Sequence, residues 1–571
     1  MSFSDSKETA VADLLVRGGT VVDGTGAPAV RADVRITDGV IAEVGPDLEP
    51  RGEREIDATG AYVSPGFIEA HTHVDGAMWW NPDLDPLPAY GTTTVVFGNC
   101  GMSVAPLQKD ARGPVLDLFT FLEDLPLEAF TTHVPWTWER WPEYRRACED
   151  QKTTVNVAGF VGHLTLRTTV MGAEAAWERA ATPEEIAEMA ALLDESLAHG
   201  AIGMSTNVFD KDRYLKLVPT RLAEDAEFEA LVDVLAKHPG ATLQMITRFN
   251  EPDNIDADVE RFANICGPRG VRGQWTAIPS TVREDYLREQ TIALHRRIRE
   301  GGADFWPNVP HKPLEPFFNF ERALTFQRVA AWNEWINGPA ETKLDVLADP
   351  EWRARAREDY DNRVSSSTSR LDRPESMIFA ISETGAGPLD VSWRAYAEQE
   401  GKHLSDALAD WILANGIKSC MKGIPDDFDE PVIADLFKEP HTLTNINDSG
   451  AHLQLFCGSG ENVYLLTRFV RDTGLLTVEE AVHNLTGKLA GFFGLGDRGV
   501  IAPGKAGDLA VFALDEIEVR PEVKLYDNPD GSWRFSRGNS GVRATVVGGV
   551  PTVLAAEPTG ARPGTMIGRS N

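Results

Sequence analysis

The stretch Pro-Gly-Phe-Ile-Glu-Ala-His-Thr-His, residues 65–73, decides the fold. It opens with a Pro-Gly turn, continues as an apolar strand and ends in two histidines one residue apart. Because side chains alternate across a strand, His71 and His73 point to the same side. Two neutral imidazoles can bind one metal ion, and imidazole suits zinc. The stretch predicts a metal site at a strand end, although such a pair alone also fits ordinary polar residues there.

The composition excludes several classes of protein. The chain has 571 residues, of which 42% are hydrophobic and 25% charged, so it is globular and long enough for a large core plus an accessory domain. The formal net charge is -32, from 87 acidic and 55 basic residues. Such a surface repels nucleic acid and anionic lipid, so we expect neither as a partner.

The chain also lacks the signals of secretion and membrane insertion. Residues 1–8 are polar and acidic, with no apolar signal core, and no apolar run is long enough to span a bilayer. The cysteines are odd in number and scattered, which favours reduced thiols over a disulfide framework. These features predict a cytoplasmic protein. The five cysteines are Cys100, Cys148, Cys266, Cys420 and Cys457.

Both ends of the chain have the character of a β domain. Residues 12–57 contain short strands and turns, and the segment 34–45 is typical of a hairpin with Asp-Gly at its tip. Residues 504–512 and 544–554 also predict strands. We therefore expect one small β-sandwich domain built from residues 1–62 and 491–571.

The middle of the chain, residues 63–490, alternates apolar strands with helical stretches, as parallel α/β folds do. One helix, over Thr182–His199, opens with Thr-Pro-Glu-Glu, a typical helix start. Residues of about 320–430 hold amphipathic helices, which predict a helical insertion over the barrel mouth whose tryptophans are mostly core. Eight strands predict a (β/α)8 TIM barrel. The strands are predicted at Ala61–His71, Thr92–Asn99, Thr154–Val161, Ala201–Ser205, Thr242–Thr247, Gly273–Ile278, Asp304–Val309 and Thr442–Ile446.

Polar residues follow the predicted strands at their carboxyl ends, where barrels of this kind gather their chemistry. Two imidazoles, a thiolate and a carboxylate fit zinc. Asp448 can bind the metal and take a proton from a metal-bound water, or it can cap the following helix. Cys100 lies in an Asn-Cys-Gly turn, although free cysteines are usually buried small hydrophobes. In chain order the candidates are His71, His73, Cys100, His163, Arg248, His311, Asp448 and His452.

Several stretches resemble the amidohydrolase superfamily and, within it, the N-acyl-D-amino-acid deacylases (D-aminoacylases). The resemblance implies a metal-dependent hydrolase that cleaves a C–N amide bond of a small-molecule substrate. It also implies that Cys100 is a zinc ligand, that Asp448 is the general acid and base, and that the protein forms dimers or tetramers. The stretches are residues 65–73, 91–101, 161–167, 200–206, 448–452 and 498–512.

The sequence departs from this group at two strand ends. The deacylases carry a histidine at the end of strand five and another at strand six. Here strand five ends in Thr247-Arg248 and strand six in Thr276-Ala277-Ile278, and no lysine follows strand four. We therefore expect one zinc ion rather than two, held by His71, His73, Asp448 and Cys100.

The remaining candidates have less defined roles. His163, His311 and His452 could complete the site or contact substrate. Arg248 could pair with a substrate carboxylate or form a structural ion pair. Two other functions stay open. The first is an enzyme of the same fold with a reduced metal site, which opens cyclic amides or lactones, cleaves C–C bonds or decarboxylates its substrate. The second is a non-catalytic barrel that binds a ligand.

Overall fold

A computed structural model describes most of the chain, in the ranges 14–249, 252–280, 282, 285–321, 326, 329–363, 374–425, 427–444 and 446–570. Its strands are β1 (Leu14–Val21), β2 (Val30–Thr37), β3 (Val40–Gly45), β4 (Arg54–Asp57), β5 (Tyr62–Pro65), β6 (Phe67–Glu69), β7 (His71–Thr72), β8 (Thr92–Phe97), β9 (Asn156–Gly162), β10 (Gly203–Asn207), β11 (Thr242–Ile246), β12 (Arg272–Thr276), β13 (Phe305–Pro307), β14 (Phe317–Asn319), β15 (Ile378–Ile381), β16 (Cys420–Lys422), β17 (Ile446–Ser449), β18 (Leu509–Phe512), β19 (Glu522–Leu525), β20 (Arg534–Arg537), β21 (Ala544–Val547), β22 (Val550–Leu554) and β23 (Glu557–Pro558).

The helices lie mainly between the strands of the middle region. They are α1 (Val74–Ala77), α2 (Arg112–Leu122), α3 (Leu127–Thr132), α4 (Trp141–Gln151), α5 (His163–Ala176), α6 (Pro183–Ala198), α7 (Asp225–Ala236), α8 (Pro252–Cys266), α9 (Asp285–Glu300), α10 (Ala330–Ile336), α11 (Lys343–Ala348), α12 (Pro350–Asp361), α13 (Trp393–Glu400), α14 (Leu404–Asn415), α15 (Glu430–Lys438), α16 (Glu461–Tyr464), α17 (Val478–Leu485) and α18 (Gly487–Phe492). A π-helix, Leu465–Asp472, continues α16.

The middle of the chain forms the predicted barrel. Strands β6, β8, β9, β10, β11, β12 and β13 follow one another in one parallel sheet. β17 pairs in parallel with β7, which directly follows β6. Leu443, just before β17, bridges Asn308, just after β13. These contacts connect the first and seventh barrel strands through the eighth, and the (β/α)8 barrel is confirmed.

The first predicted strand, Ala61–His71, is two strands in the structure. β5 pairs with β1 and β18 outside the barrel, whereas β6 pairs with β8 inside it. Gly66 separates them, and a Cβ at this position would lie 2.0 Å from the Thr93 side chain. The apolar run therefore passes from one sheet to the other at the residue with no side chain. The short helix α1 begins directly after His73.

Strands from both chain ends share one mixed sheet, in the order β23-β22-β21-β18-β5-β1-β2-β3, with β4 beside β1. The predicted hairpin joins β2 to β3, with positive φ at Asp38 and Gly39 in its tip. The apolar side chains of this sheet form their own buried cluster, which includes Val34 and Leu509. The β domain thus draws on both ends of the chain, while its boundaries at residues 62 and 491 stay a prediction.

The insertion before the eighth barrel strand combines helices α10 to α14 with the three-stranded sheet β14-β16-β15. Its buried apolar residues form a separate core cluster. The tryptophans of this region belong to that cluster, so they fill a core, as expected. They are Trp332, Trp335, Trp352, Trp393 and Trp411.

Two further features concern membrane spans and cysteines. Within the described ranges, every helix is too short or too polar to cross a bilayer. All five cysteines are free thiols, as predicted. The cytoplasmic location stays a prediction.

Candidate metal centre

Four donor atoms meet at the carboxyl ends of β7, β8 and β17. His71 Nε2 lies 3.2 Å from Cys100 Sγ and 3.3 Å from Asp448 Oδ1. His73 Nε2 lies 3.7 Å from Cys100 Sγ and 3.8 Å from Asp448 Oδ1. Zinc–ligand distances of about 2.0–2.3 Å place neighbouring donors of a tetrahedral site roughly 3.3–3.6 Å apart. The four measured distances lie near this range, and His71, His73 and Cys100 all lie within 4.8 Å of one another, as the ligands of one ion do.

The protonation of the two imidazoles suits a metal. Burial, with a smaller effect of the neighbouring His452, lowers the pKa of His71 to about 3. Burial also lowers the pKa of His73 well below its usual value, with added effects of His71 and His452. Both rings are therefore neutral at physiological pH, which is the form that binds metal.

The other two donor residues, Cys100 and Asp448, have acidic side chains. Burial raises the pKa of the Cys100 thiol well above its usual value, and nearby Glu123 and Asp448 raise it further. Burial also raises the pKa of Asp448 to about 7. A divalent cation among these groups would reverse both shifts, because it stabilises thiolate and carboxylate. The donor set thus fits a bound metal better than an empty, buried cluster.

Asp448 keeps 31% of its side chain accessible, whereas His71 keeps 3% and His73 keeps 1%. It lies within β17 in a left-handed conformation, with φ of 50°. The helix-cap alternative is wrong, since the next helix, α16, has Gly460 at its N-cap. Its neighbour Asn447 donates to Glu69, which anchors this part of the strand to β6. The carboxylate of Asp448 is therefore free to face the metal and the barrel mouth.

Glu123 joins the site, although no sequence pattern predicted it. It directly follows helix α2, far from any strand end. Its Oε1 lies 3.7 Å from His73 Nδ1, and its Oε2 lies 3.5 Å from His452 Nε2. A carboxylate that faces the outer nitrogen of a metal-binding histidine orients that ring. Only its place in the folded chain, and no motif, could have identified it.

The structure brings His452 beside the metal centre but leaves His163 and His311 away from it. His452 keeps 20% of its side chain exposed next to Glu123. His311 is buried, with Nε2 donating to the Glu461 carbonyl at 2.9 Å and Nδ1 bonded to Thr444 Oγ1 at 3.1 Å. Both of its ring nitrogens are therefore already bonded, and a ligand could not bind without breaking one of these bonds.

His163 belongs to a buried ion-pair network. Its Nδ1 bonds Thr206 Oγ1 at 2.9 Å, and its Nε2 lies 2.7 Å from Glu227 Oε1. Glu227 also pairs with Arg167, which is completely buried. Both ring nitrogens of His163 are therefore bonded, and neither is free for the predicted contact with substrate. The bond to Glu227 connects α5 to α7.

The Glu227→Ala protein is expected to be about 3–5 kcal/mol less stable than the wild type, because Arg167 would stay buried without its partner. Unfolding in urea, followed by circular dichroism, measures the loss. Glu229→Ala, an exposed position on the same helix, is the control and should change the free energy of unfolding by less than about 0.5 kcal/mol. A loss below about 1 kcal/mol in Glu227→Ala would contradict this reading of the network.

Among the described residues at the ends of strands five and six, Arg248 and Thr247 are engaged in other contacts. Arg248 pairs with Asp258 through two nitrogens, with Nε 3.0 Å from Oδ2. Thr247 Oγ1 donates to the Thr276 carbonyl. Among the residues that the structure describes, the one set of three His, Cys, Asp or Glu donors that all lie within 4.8 Å of one another is His71, His73 and Cys100. The number of metal ions itself stays a prediction.

Comparisons with known proteins agree with this fold. The model of the Amidohydrolase family matches residues 54–282 and 399–553. An uncharacterized protein of Mycobacterium tuberculosis is 29% identical over 580 residues, which cover 96% of this chain and 92% of that protein. The D-aminoacylase of Alcaligenes xylosoxydans xylosoxydans is 28% identical over 587 residues, with 100% of both chains covered.

Solved structures give the same result. The N-acyl-D-glutamate deacylase of Bordetella bronchiseptica, in complex with zinc and a phosphonate inhibitor, is 25% identical, with a TM-score of 0.67 over 98% of this chain and 100% of that one. A D-aminoacylase structure is also 25% identical, with a TM-score of 0.66 and the same coverage. This chain therefore belongs to the amidohydrolase family and is a hydrolase that acts on carbon–nitrogen bonds other than peptide bonds.

Proposed function

We propose that this protein removes the acyl group from N-acyl-amino acids, most like an N-acyl-D-amino-acid deacylase, with one zinc ion. One observation supports the proposal most strongly: three donors, on His71, His73 and Cys100, lie within 4.8 Å of one another at the carboxyl end of the barrel, with Asp448 3.3 Å from His71 Nε2. The relatives named D-aminoacylase and N-acyl-D-aspartate deacylase, both 28% identical, support the substrate class.

The chain's own residues divide the work of the centre. His71 and His73 would offer neutral Nε2 atoms, and Cys100 would offer a thiolate. Zinc bound there would polarise the substrate carbonyl and lower the pKa of a water molecule. Glu123 faces His73 Nδ1 and would keep the ring turned toward the metal.

Asp448 would handle the proton of the reaction. Its side chain is 31% accessible, so a substrate can reach the carboxylate. It would take the proton of the attacking water as general base and then give this proton to the leaving nitrogen as general acid. One group can do both because the proton that it gains in the first step is the proton that the amine needs in the second.

Substrate contacts are proposed for two of the remaining candidates. His452 is partly exposed beside Glu123, where its imidazole could contact the acyl or carboxylate group. Arg248 is 26% exposed and could share its guanidinium between Asp258 and a substrate carboxylate. A dimer or tetramer also stays a proposal.

Removal of metal should abolish the activity, and this result tests the proposal. Purified protein is assayed against N-acyl-D-amino acids, N-acyl-L-amino acids, cyclic amides and lactones. We expect free amino acid from the N-acyl-D compounds, loss of this activity after treatment with a chelator, and full recovery with one equivalent of zinc. Undiminished hydrolysis by metal-free protein would contradict the proposal, and turnover of cyclic amides or lactones alone would favour the altered-site enzyme instead.

A further inference from the structure

The turn that presents Cys100 has an uncommon backbone conformation. Gly98, Cys100 and Gly101 have φ of 75°, 56° and 80°, all in the left-handed region. Glycine adopts this region freely, but a residue with a side chain does so at a cost. Such a conformation persists where surrounding groups hold it. The neighbours of this turn therefore determine where the Cys100 thiol lies.

Ser205, at the centre of β10, bonds the turn on both sides of Cys100. Its Oγ accepts a hydrogen bond from the Gly101 N–H at 3.0 Å and donates one to the Gly98 carbonyl at 2.5 Å. Ser205 is completely buried. The hydroxyl donates its one proton to the Gly98 carbonyl and accepts the Gly101 N–H on a lone pair. It therefore joins the two ends of the turn.

Gln244, on the neighbouring strand β11, bonds the middle of the turn. Its Oε1 accepts a hydrogen bond from the Cys100 N–H at 3.1 Å, and its side chain is completely buried. A backbone N–H that is shielded from water needs a hydrogen-bond partner. Gln244 thus supplies the partner that the conformation of Cys100 requires.

Asn99 connects the turn to the histidine strand. Its Nδ2 donates to the Thr72 carbonyl at 3.2 Å and to the Val96 carbonyl at 3.0 Å. Thr72 lies between the two metal-binding histidines in the sequence. The position of Cys100 is therefore fixed relative to both imidazoles.

We propose that Ser205 and Gln244 are positioning residues, which hold the Cys100 thiol within reach of His71 and His73 before any metal binds. The inference rests on the proposed function, because it requires Cys100 to be a ligand. Neither residue needs to contact the metal. Without their hydrogen bonds the turn can relax away from its left-handed conformation, and binding must then order it again. The metal affinity should fall even though all four donors remain.

Cobalt binding to the metal-free full chain tests this proposal. Cobalt(II) bound to a thiolate gives a charge-transfer absorption band, which reports the Cys100 bond directly, and titration gives the dissociation constant. The Ser205→Ala and Gln244→Leu proteins are each expected to bind cobalt about 10- to 100-fold more weakly than the wild type, with a weaker band at saturation. Circular dichroism checks that each variant is folded. Should one variant fail to fold, the other still gives the answer.

Two controls separate positioning from general damage. Thr206→Val removes a buried hydroxyl from the same strand, but that hydroxyl bonds His163 and not the turn. It should change stability without changing cobalt affinity or the band. Ser205→Thr keeps the hydroxyl and should recover part of the affinity that Ser205→Ala loses.

The possible outcomes are distinct. Ser205→Ala and Gln244→Leu affinities within about twofold of the wild type, or an equal loss in Thr206→Val, would overturn the inference and leave the proposed function intact. A wild-type protein that hydrolyses N-acyl-amino acids but shows no thiolate band would mean that Cys100 is not a ligand. This result would overturn the inference but not the proposed hydrolysis. A wild type that binds no cobalt or zinc would overturn the proposed function as well.

Discussion

The Asp448→Asn protein is expected to keep its zinc and to lose about 10²- to 10⁴-fold in kcat, the usual contribution of a general acid–base group. Asparagine keeps an oxygen at the same place but cannot accept the proton of the attacking water. KM should change little, since the substitution leaves the shape of the site intact. Steady-state kinetics on an N-acyl-D-amino acid and zinc analysis of the same preparation measure both quantities.

The control for this variant is Asp435→Asn, which makes the same chemical change at a largely exposed aspartate of α15. It should match the wild type in kcat, KM and zinc content. An Asp448→Asn protein with normal zinc content and undiminished turnover would exclude Asp448 as the general base. Loss of zinc together with activity would instead show that its main role is that of a ligand.

The His71→Ala protein is expected to lose its metal and, with it, its activity. His71 Nε2 is the donor closest to both Cys100 and Asp448, so its removal leaves three donors and an open side. Changes in groups that only orient a ligand cost about 10–100-fold in metal affinity, and removal of the ligand itself should cost at least as much. Zinc titration of the metal-free protein and kcat/KM measure the two effects.

His238→Ala is a suitable comparison, because this histidine lies near the surface and pairs with Asp194 far from the centre. Its zinc affinity and activity should equal those of the wild type. If His71→Ala bound zinc as tightly as the wild type and stayed active, the assignment of the metal site to the end of the first barrel strand would be wrong.

The sequence predicted the parts of the site that follow local rules. Two histidines separated by one residue lie on the same face of a strand. The carboxyl ends of parallel strands meet at one edge of the sheet. His71 and His73 obey the first rule, Cys100 and Asp448 obey the second, and the structure places all four together. The barrel also followed from a repeated local pattern of strands and helices.

Other parts depend on contacts between distant segments, which one sequence does not show. Glu123 reaches the site from the end of a helix, and Ser205 reaches Cys100 from a strand more than a hundred residues away. His163 and His311 also lie after strands, yet their rings turn into buried hydrogen bonds. A strand end defines where the backbone goes, whereas packing decides where the side chain points.

X-ray absorption at the zinc edge, on active protein loaded with zinc, tests the central claim most directly. The account predicts one sulfur at about 2.3 Å and three nitrogen or oxygen ligands at about 2.0–2.1 Å. It predicts no scattering from a second zinc at the roughly 3.5–4 Å typical of two-metal sites. A spectrum without sulfur, or one with a zinc–zinc distance, would contradict a single centre built from His71, His73, Cys100 and Asp448.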